Sequence, residues 1–442
     1  MILRILLVVA GMALAGPGAA ATLTADEMRT AAIAALRAGD AGLAGRLATA
    51  LLSRDPADDT ALVIRAQAAR LQGANGEARK AAAAAWARAD TPAERFRAAR
   101  LRGVVLSDDG AHTRAQWWLR RASQEAPTPR ARALAVRDFR RARARNPWRM
   151  RFDFAITPSS NINNGSAAET IIVGGLPFRL NGRARALSGV ETRAGIDASR
   201  RVLRRDDLTL RLGGTVEARR YRLSESARRE APTLDASDLS YTSGALRLEA
   251  RAGDMQAQTE IARSWYGGAP LADTLRAGIG RGWRVGEGQS VSARLIGTRQ
   301  WRRDQPALSL REVTLRGAWR RETDAGGAVR LGFGLRRTAS DSAVIAHRAA
   351  LAGIDWQVGR SVAGAALHLS FDLEARHYDE PLLGTAPRED TIARAGLDLV
   401  LSERDYMGFA PTIGLNLSRR RSSFDLYDSD TATLSLGLRS VF

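Results

Sequence analysis

The sequence predicts a two-part chain: an N-terminal domain of repeated helices, then a C-terminal antiparallel transmembrane β-barrel of about fourteen strands. Three observations predict it. A short export leader opens the chain, composition changes once near Asn146, and from Trp148 onward apolar and polar residues alternate in segments of roughly ten residues.

The leader is expected over residues 1–21. Arg4 forms a thin positive start, Ile5 to Ala15 an apolar stretch, and Ala19-Ala20-Ala21 the small residues of a cleavage site. The 442-residue chain has no cysteine, which excludes a disulfide framework, thiolate metal sites, a cysteine nucleophile and a lipid anchor on a leader cysteine. Its 67 basic residues, of which only Lys80 is lysine, exceed its 47 acidic ones to give +20. Such a balance suits nucleic acid, anionic lipid or an acidic cargo. Export removes nucleic acid from that group, and no later window reaches the ~18 apolar residues of a membrane helix.

From Thr22 to Arg145 the chain is rich in Ala and Arg, both strong helix formers. Pro56, Pro92 and Pro127 recur at spacings of 36 and 35 residues (92 − 56 and 127 − 92), with interior turns at Gly39-Asp40, Gly73-Ala74-Asn75-Gly76 and Asp108-Asp109-Gly110. This spacing predicts about three helix–turn–helix units of roughly 34 residues, each second helix ended by its proline, and a capping helix over Pro129–Arg145. The pattern resembles a tetratricopeptide array, a fold that presents a groove to a protein partner. Residues 22–145 carry 23 basic and 13 acidic side chains, which opens the groove to an acidic partner.

Residues 146–442 form the expected barrel. Leu367, Leu369, Phe371, Leu373 and Ala375 share one face, while His368, Ser370, Asp372, Glu374 and Arg376 share the other. Strands are expected to begin near Arg151, Ala184, Leu208, Leu239, Met255, Asp273, Ser290, Ala307, Ala328, Ile345, Val362, Thr391, Phe409 and Thr431. Short turns at Arg204–Asp207, Gly253-Asp254, Gly286–Gln289 and Gly359–Ser361 alternate with long stretches at 158–182, 223–238, 379–389 and 421–430. Short turns belong on the periplasmic side and long loops outside. Aromatic girdles are expected from Tyr221, Tyr241, Trp265, Tyr266 and Trp301 above and Trp283, Trp319 and Trp356 below. Leu434, Leu436, Leu438 and the terminal Phe442 form an alternating last strand with an aromatic end, which resembles the signal read by the barrel assembly machinery; Ser440 departs from it.

Nothing in the sequence points to catalysis, a cofactor or a metal. His112, His347, His368 and His377 lack ligand spacing. Gly278, Gly280 and Gly282 fall inside a predicted strand and precede no helix, so a phosphate loop is excluded. The charged face of the strands nominates a lumen lined by Arg211, Glu217, Arg219, Arg247, Glu249, Arg251, Asp372, Glu374, Arg376, Arg394 and Asp398. Opposite charges two apart on one strand, as in Glu217/Arg219 and Glu374/Arg376, are expected to pair. A polyanion conduit would show one sign more purely.

Where the first strand ends the chain reads Phe152-Asp153-Phe154-Ala155-Ile156-Thr157-Pro158-Ser159-Ser160-Asn161-Ile162-Asn163-Asn164-Gly165. With the repeat front and the barrel, this resembles the surface lipoprotein assembly modulator (Slam) family. The stretch Leu417 to Asp428 also resembles that family's last hairpin. The resemblance implies movement of a client, often a surface lipoprotein, from periplasm to cell surface without covalent chemistry. The repeat would hold the client and the barrel would aid its passage. Its implied partners are the client, the assembly machinery and outer-membrane lipid. The loop Pro158, Ser159, Ser160, Asn161, Ile162, Asn163 is the candidate family feature. Exopolysaccharide export, which also joins such repeats to a barrel, is the alternative, although it usually needs longer arrays. A plain diffusion channel would leave the repeat without purpose.

Overall fold

A computed structural model describes residues 23–173, 176–381 and 386–441. The leader expected over residues 1–21 and the terminal Phe442 lie outside the described residues. Contacts divide the chain into two units after Asn146.

Among the described residues the first unit has seven helices: α1 (Ala25–Ala38), α2 (Ala41–Arg54), α3 (Asp59–Leu71), α4 (Asn75–Ala87), α5 (Pro92–Asp108), α6 (His112–Gln124) and α7 (Pro129–Arg145). Thr24 with Glu27, and Thr91 with Glu94, close reciprocal boxes at the starts of α1 and α5. Gly39, at φ 85°, ends α1. The three pairs and the cap follow the predicted spacing, Pro56 and Pro127 lie just past the ends of α2 and α6, and Pro129 opens α7. Pro92 differs from expectation: it occupies the first turn of α5, where the missing N–H costs nothing, and opens a helix rather than ends one.

Alanine makes the close packing possible. Ala32, Ala35, Ala44, Ala48 and Ala68 surround Ile64, and larger side chains gather around Phe139, Leu119, Trp118 and Leu106 and around Met28 and Leu51. Gly103 of α5 faces Leu119 of α6 so closely that a Cβ there would come within 2.5 Å of its Cγ. Alternate helices are tied by ion pairs: Arg29–Asp58 at 2.9 Å at the start of α3, Arg97–Asp59 at 3.1 Å, and Arg100–Asp138 at 2.7 Å.

The second unit is a closed antiparallel barrel of fourteen strands. They are β1 (Trp148–Ser159), then, beyond a small hairpin β2 (Thr170–Val173) and β3 (Leu176–Arg179) in the first long loop, β4 (Gly189–Arg205), β5 (Leu208–Leu223), β6 (Tyr241–Ala252) and β7 (Met255–Tyr266). The wall continues through β8 (Ala269–Gly286), β9 (Gln289–Arg302), β10 (Leu310–Thr323), β11 (Gly327–Ala339) and β12 (His347–Gln357). It finishes with β13 (Ala366–Tyr378), β14 (Glu389–Val400), β15 (Phe409–Ser422) and β16 (Ser429–Ser440). The largest displacement from the expected starts is five residues, Gly189 against Ala184.

Each strand pairs with its sequence neighbour, and β1 closes on both β4 and β16. The β1–β4 register runs unbroken from Trp148↔Arg200 to Ser159↔Gly189. Against β16 the register holds only at Ala155↔Gly437, Ile156↔Leu436 and Ser159↔Thr433. Pro158 explains part of the gap. Ser160 N–H donates to Ala432 O at 3.0 Å, so even-numbered amides of β1 face β16, and Pro158 has no hydrogen to give there.

The loop asymmetry is imperfect. Two-residue turns such as 206–207, 253–254 and 287–288 lie at one end, and the long 160–188 and 224–240 stretches at the other. Yet β7 and β8 are joined at the long-loop end by Gly267-Gly268 alone, both at positive φ (56° and 83°), as a tight hairpin demands. Conversely, 401–408 is a longer connection at the short-turn end, and the turn expected at Gly359–Ser361 extends over 358–365.

Outward residues are apolar and exposed, among them Phe152, Phe154, Leu246, Phe333, Leu335 and Leu438. A continuous apolar belt around a closed barrel is stable in lipid and unstable in water. The barrel is of the outer-membrane type. Among the described residues no helix is long and apolar enough to cross a membrane.

Candidate functional site

The strand register decides which nominated side chains face inward. Leu212 and Val216 are exposed to the outside, so Arg211, Glu217 and Arg219 project to the inner face, joined there by Arg247, Glu249 and Arg251 of β6. On β13 and β14, Phe371 and Leu373 face out, and Asp372, Glu374, Arg376, Arg394 and Asp398 face in.

These residues form separate clusters. Arg247 is the hub of the first, bonded to Asp197 at 2.9 Å and Glu249 at 2.6 Å, with Glu260 at 3.8 Å; Glu260 also meets Arg276 at 3.6 Å. Glu374 is the hub of the second, only 4% exposed, with Arg376 at 2.6 Å, Arg336 at 2.9 Å and Arg394 at 3.5 Å. Glu217 and Arg219 pair at 2.6 Å. His368 sits between Asp355 (3.7 Å) and Asp398 (3.6 Å). Asp372 stands directly opposite Arg394 in the register, and Arg251 opposite Gln256.

Arg211 lines no open space. It is 5% exposed, and its guanidinium donates to Pro147 O at 3.1 Å and to Ser199 O at 3.2 Å. It fastens the start of β1 to β4 and β5.

The loop resembling the Slam motif uses its polar side chains on itself. Asn161 Nδ2 donates to Gly165 O, and Gly165 N–H donates back to Asn161 Oδ1, both at 2.9 Å. Asn163 Nδ2 donates to Arg185 O at 2.7 Å, while Leu187 N–H donates to Asn163 Oδ1 at 2.9 Å. Ile162 is buried with Leu187, Leu223 and Leu239 beneath the short helix α8 (Glu225–Glu230). Pro158 and Ser159 belong to β1, and the Ser160 hydroxyl accepts from Ala432 N–H at 2.9 Å. The motif thus shapes the first long loop and anchors it to β16.

Several functional-looking residues escaped the sequence. Arg388 lies between the rings of Tyr378 and Tyr427, 3.6 Å from each centroid, beside fully buried Asp390 at 3.2 Å. This joins two adjacent long-end loops. Asp379 in the same loop is held below the usual carboxylate range by the Arg337 guanidinium that donates to it at 2.6 Å. Arg336 was hidden by its neighbour Arg337, because an Arg doublet on a strand does not reveal which member faces in. Tyr221, Tyr241 and Tyr266 correct the girdle: all three sit on the inner face, where Tyr221 O–H donates to Glu191 at 2.9 Å. The Tyr221 hydroxyl finds in a charged lumen the partner that a lipid face would lack. Trp265, Trp283, Trp301, Trp319 and Trp356 remain on the outside. Leu434, Leu436 and Leu438 are also outward.

Among the described residues no group of three or more His, Asp or Glu is placed to hold a metal ion. The arrangement offers a charged, water-compatible interior and folded loops at one end, which suit passage or binding.

No known family matches the chain, and no curated protein matches it. Among solved structures, it is similar to the type III secretion translocator chaperone SycD of Yersinia enterocolitica, at 16% identity over 29% of this chain and 94% of that one, TM-score 0.25. It is also similar to a loop-deletion mutant of OmpT, an outer membrane protein of Vibrio cholerae, at 8% identity over 67% and 99%, TM-score 0.34. A bacterial polysaccharide outer membrane secretin is matched at 10% identity over 66% and 98%, TM-score 0.36.

Proposed function

We propose that this protein is an outer-membrane export or display factor: its helical repeat binds a client protein, and its barrel aids the client's passage from periplasm to cell surface. The observation that carries the reading is the direct junction of the two units. Only Asn146 and Pro147 separate the last turn of α7 from the first residue of β1. A repeat surface that collects a protein is thereby tethered to a membrane-spanning barrel, and neither part needs covalent chemistry.

The resemblance of Phe152–Gly165 and Leu417–Asp428 to the Slam family makes a surface lipoprotein the favoured client. The pairing of Arg247 and of Glu374 with opposite charges argues against a lumen purely of one sign.

Surface proteins of cells with and without the gene, compared by protease shaving and mass spectrometry, test this reading. Loss of one or two surface proteins with accumulation of their periplasmic forms is expected. Deleting 22–145 should leave an inserted, heat-modifiable barrel that no longer exports. An intact protein surface with a missing capsule or matrix would replace protein export with polysaccharide export.

A further inference from the structure

The inner wall is uneven: most of its carboxylates cluster with arginines on β4–β8 and β12–β14, whereas a patch on β9–β11 holds more arginine than acid. Arg294 of β9 stands directly opposite Arg316 of β10, and Arg320 of β10 directly opposite Arg330 of β11. Like charges in directly opposed positions repel, and arginine does not escape by losing its proton. Arg330 has Asp355 at 3.3 Å and Arg320 has Glu322 at 3.4 Å. Arg294 reaches only the amide oxygen of Gln256, at 3.4 Å, and Arg316 has no carboxylate within ion-pair distance among the described residues.

Beside these arginines is a cavity of about 420 Å³. Arg294, Arg316 and Arg330 line it; Gly280, Gly282 and Ala318 supply wall without bulk, and its carboxylate among the described residues is Asp254 of the β6–β7 turn. The glycines set the arginines in place. A Cβ on Gly280 would come within 3.3 Å of Arg294 Nε, and one on Gly334 within 3.3 Å of Arg316 Cγ, so both stems lie flat over bare backbone. At Gly282 the nearest atom to such a Cβ is 3.9 Å away, which leaves room in front of the guanidinium groups.

We infer that this cavity is an oxyanion site, taking a carboxylate or phosphate group carried by whatever enters the lumen. Two opposed guanidinium forks without an acid between them are matched by an anion with several oxygens, each fork donating a pair of N–H groups. The inference goes beyond the export reading and does not depend on it, since a protein, a sugar polymer and a small solute can each carry such a group.

Calorimetric titration of the folded, full-length protein in neutral detergent with inorganic pyrophosphate tests it. Saturable binding is expected, weakened at least tenfold in the Arg294→Gln/Arg316→Gln double variant. The reference is Arg299→Gln/Arg311→Gln, an opposed arginine pair from the same two strands but on the outer face, which removes the same charge. Binding equally weakened by both doubles would reduce the effect to net charge and overturn the site, as would absence of saturable binding in the parent protein. If the lumen double loses its heat-modifiable fold, Arg316→Gln alone gives the answer, because it leaves no acid unpaired; parental affinity in that variant would also overturn the site.

Discussion

Arg211 donates a hydrogen bond to the carbonyl of Pro147 at 3.1 Å, joining the fifth strand to the residue that precedes the first. The same carbonyl accepts from Arg201 N–H at 2.8 Å. A buried cation spent on backbone is a structural fastening rather than a pore lining. Arg211→Ala should therefore lower barrel stability by about 2–3 kcal/mol, the loss of charge-assisted hydrogen bonds from a buried guanidinium. The temperature at which the compact band converts to the unfolded band in unboiled gel electrophoresis checks this, and an unchanged transition would refute it.

Glu374 holds three arginines from three strands, β11, β13 and β14. Glu374→Gln removes the charge they share and should cost about 3 kcal/mol, because uncompensated charge is left in a confined interior. The double variant Glu374→Gln/Arg336→Gln should cost less than the sum of its singles. Additive losses in the same heat-conversion assay would show that the two do not interact.

Gly103 is needed because Leu119 occupies the space a side chain would take. Gly103→Val should destabilise the repeat by about 1–3 kcal/mol through overpacking. Helical circular dichroism of the full chain should melt at a lower temperature while heat conversion of the barrel is unchanged.

His112 is held below its ordinary pKa, first by partial burial and then by repulsion from Arg145, with Asp108 opposing. The folded repeat therefore favours the neutral ring, and the unfolded chain takes up a proton first as pH falls. Its contribution is complete above about pH 6.5 and is lost as pH drops below that value toward the folded pKa. Helical melting temperature should fall between pH 7.5 and pH 5, and His112→Asn should flatten that part of the profile.

The architecture was readable because both units are periodic. Alanine-rich helices with turns at Gly39, Gly73 and Gly110, and leucines two apart from Leu208 to Leu438, each announce a single geometry. What was not readable depends on parity and on pairs distant in sequence. The doublets Arg320-Arg321 and Arg336-Arg337 place one guanidinium on each face, and only the register assigns them. Asp197 meets Arg247 across fifty positions, which no local pattern records. The Asn161/Asn163 loop was visible as a motif, but its side chains are directed at its own backbone, a role its composition shares with ordinary turns.

The interrupted ladder between β1 and β16 makes one line of the cylinder different from every other. Cooperative opening begins where the fewest backbone bonds must break together. Amide protons flanking Pro158 on β1, and those of Leu434 to Leu438 on β16, should therefore exchange with deuterium sooner than those of the unbroken β10–β11 pair. Closure of the cylinder is thus the least secured step of its assembly, and the two strands farthest apart in the barrel sequence hold each other most loosely.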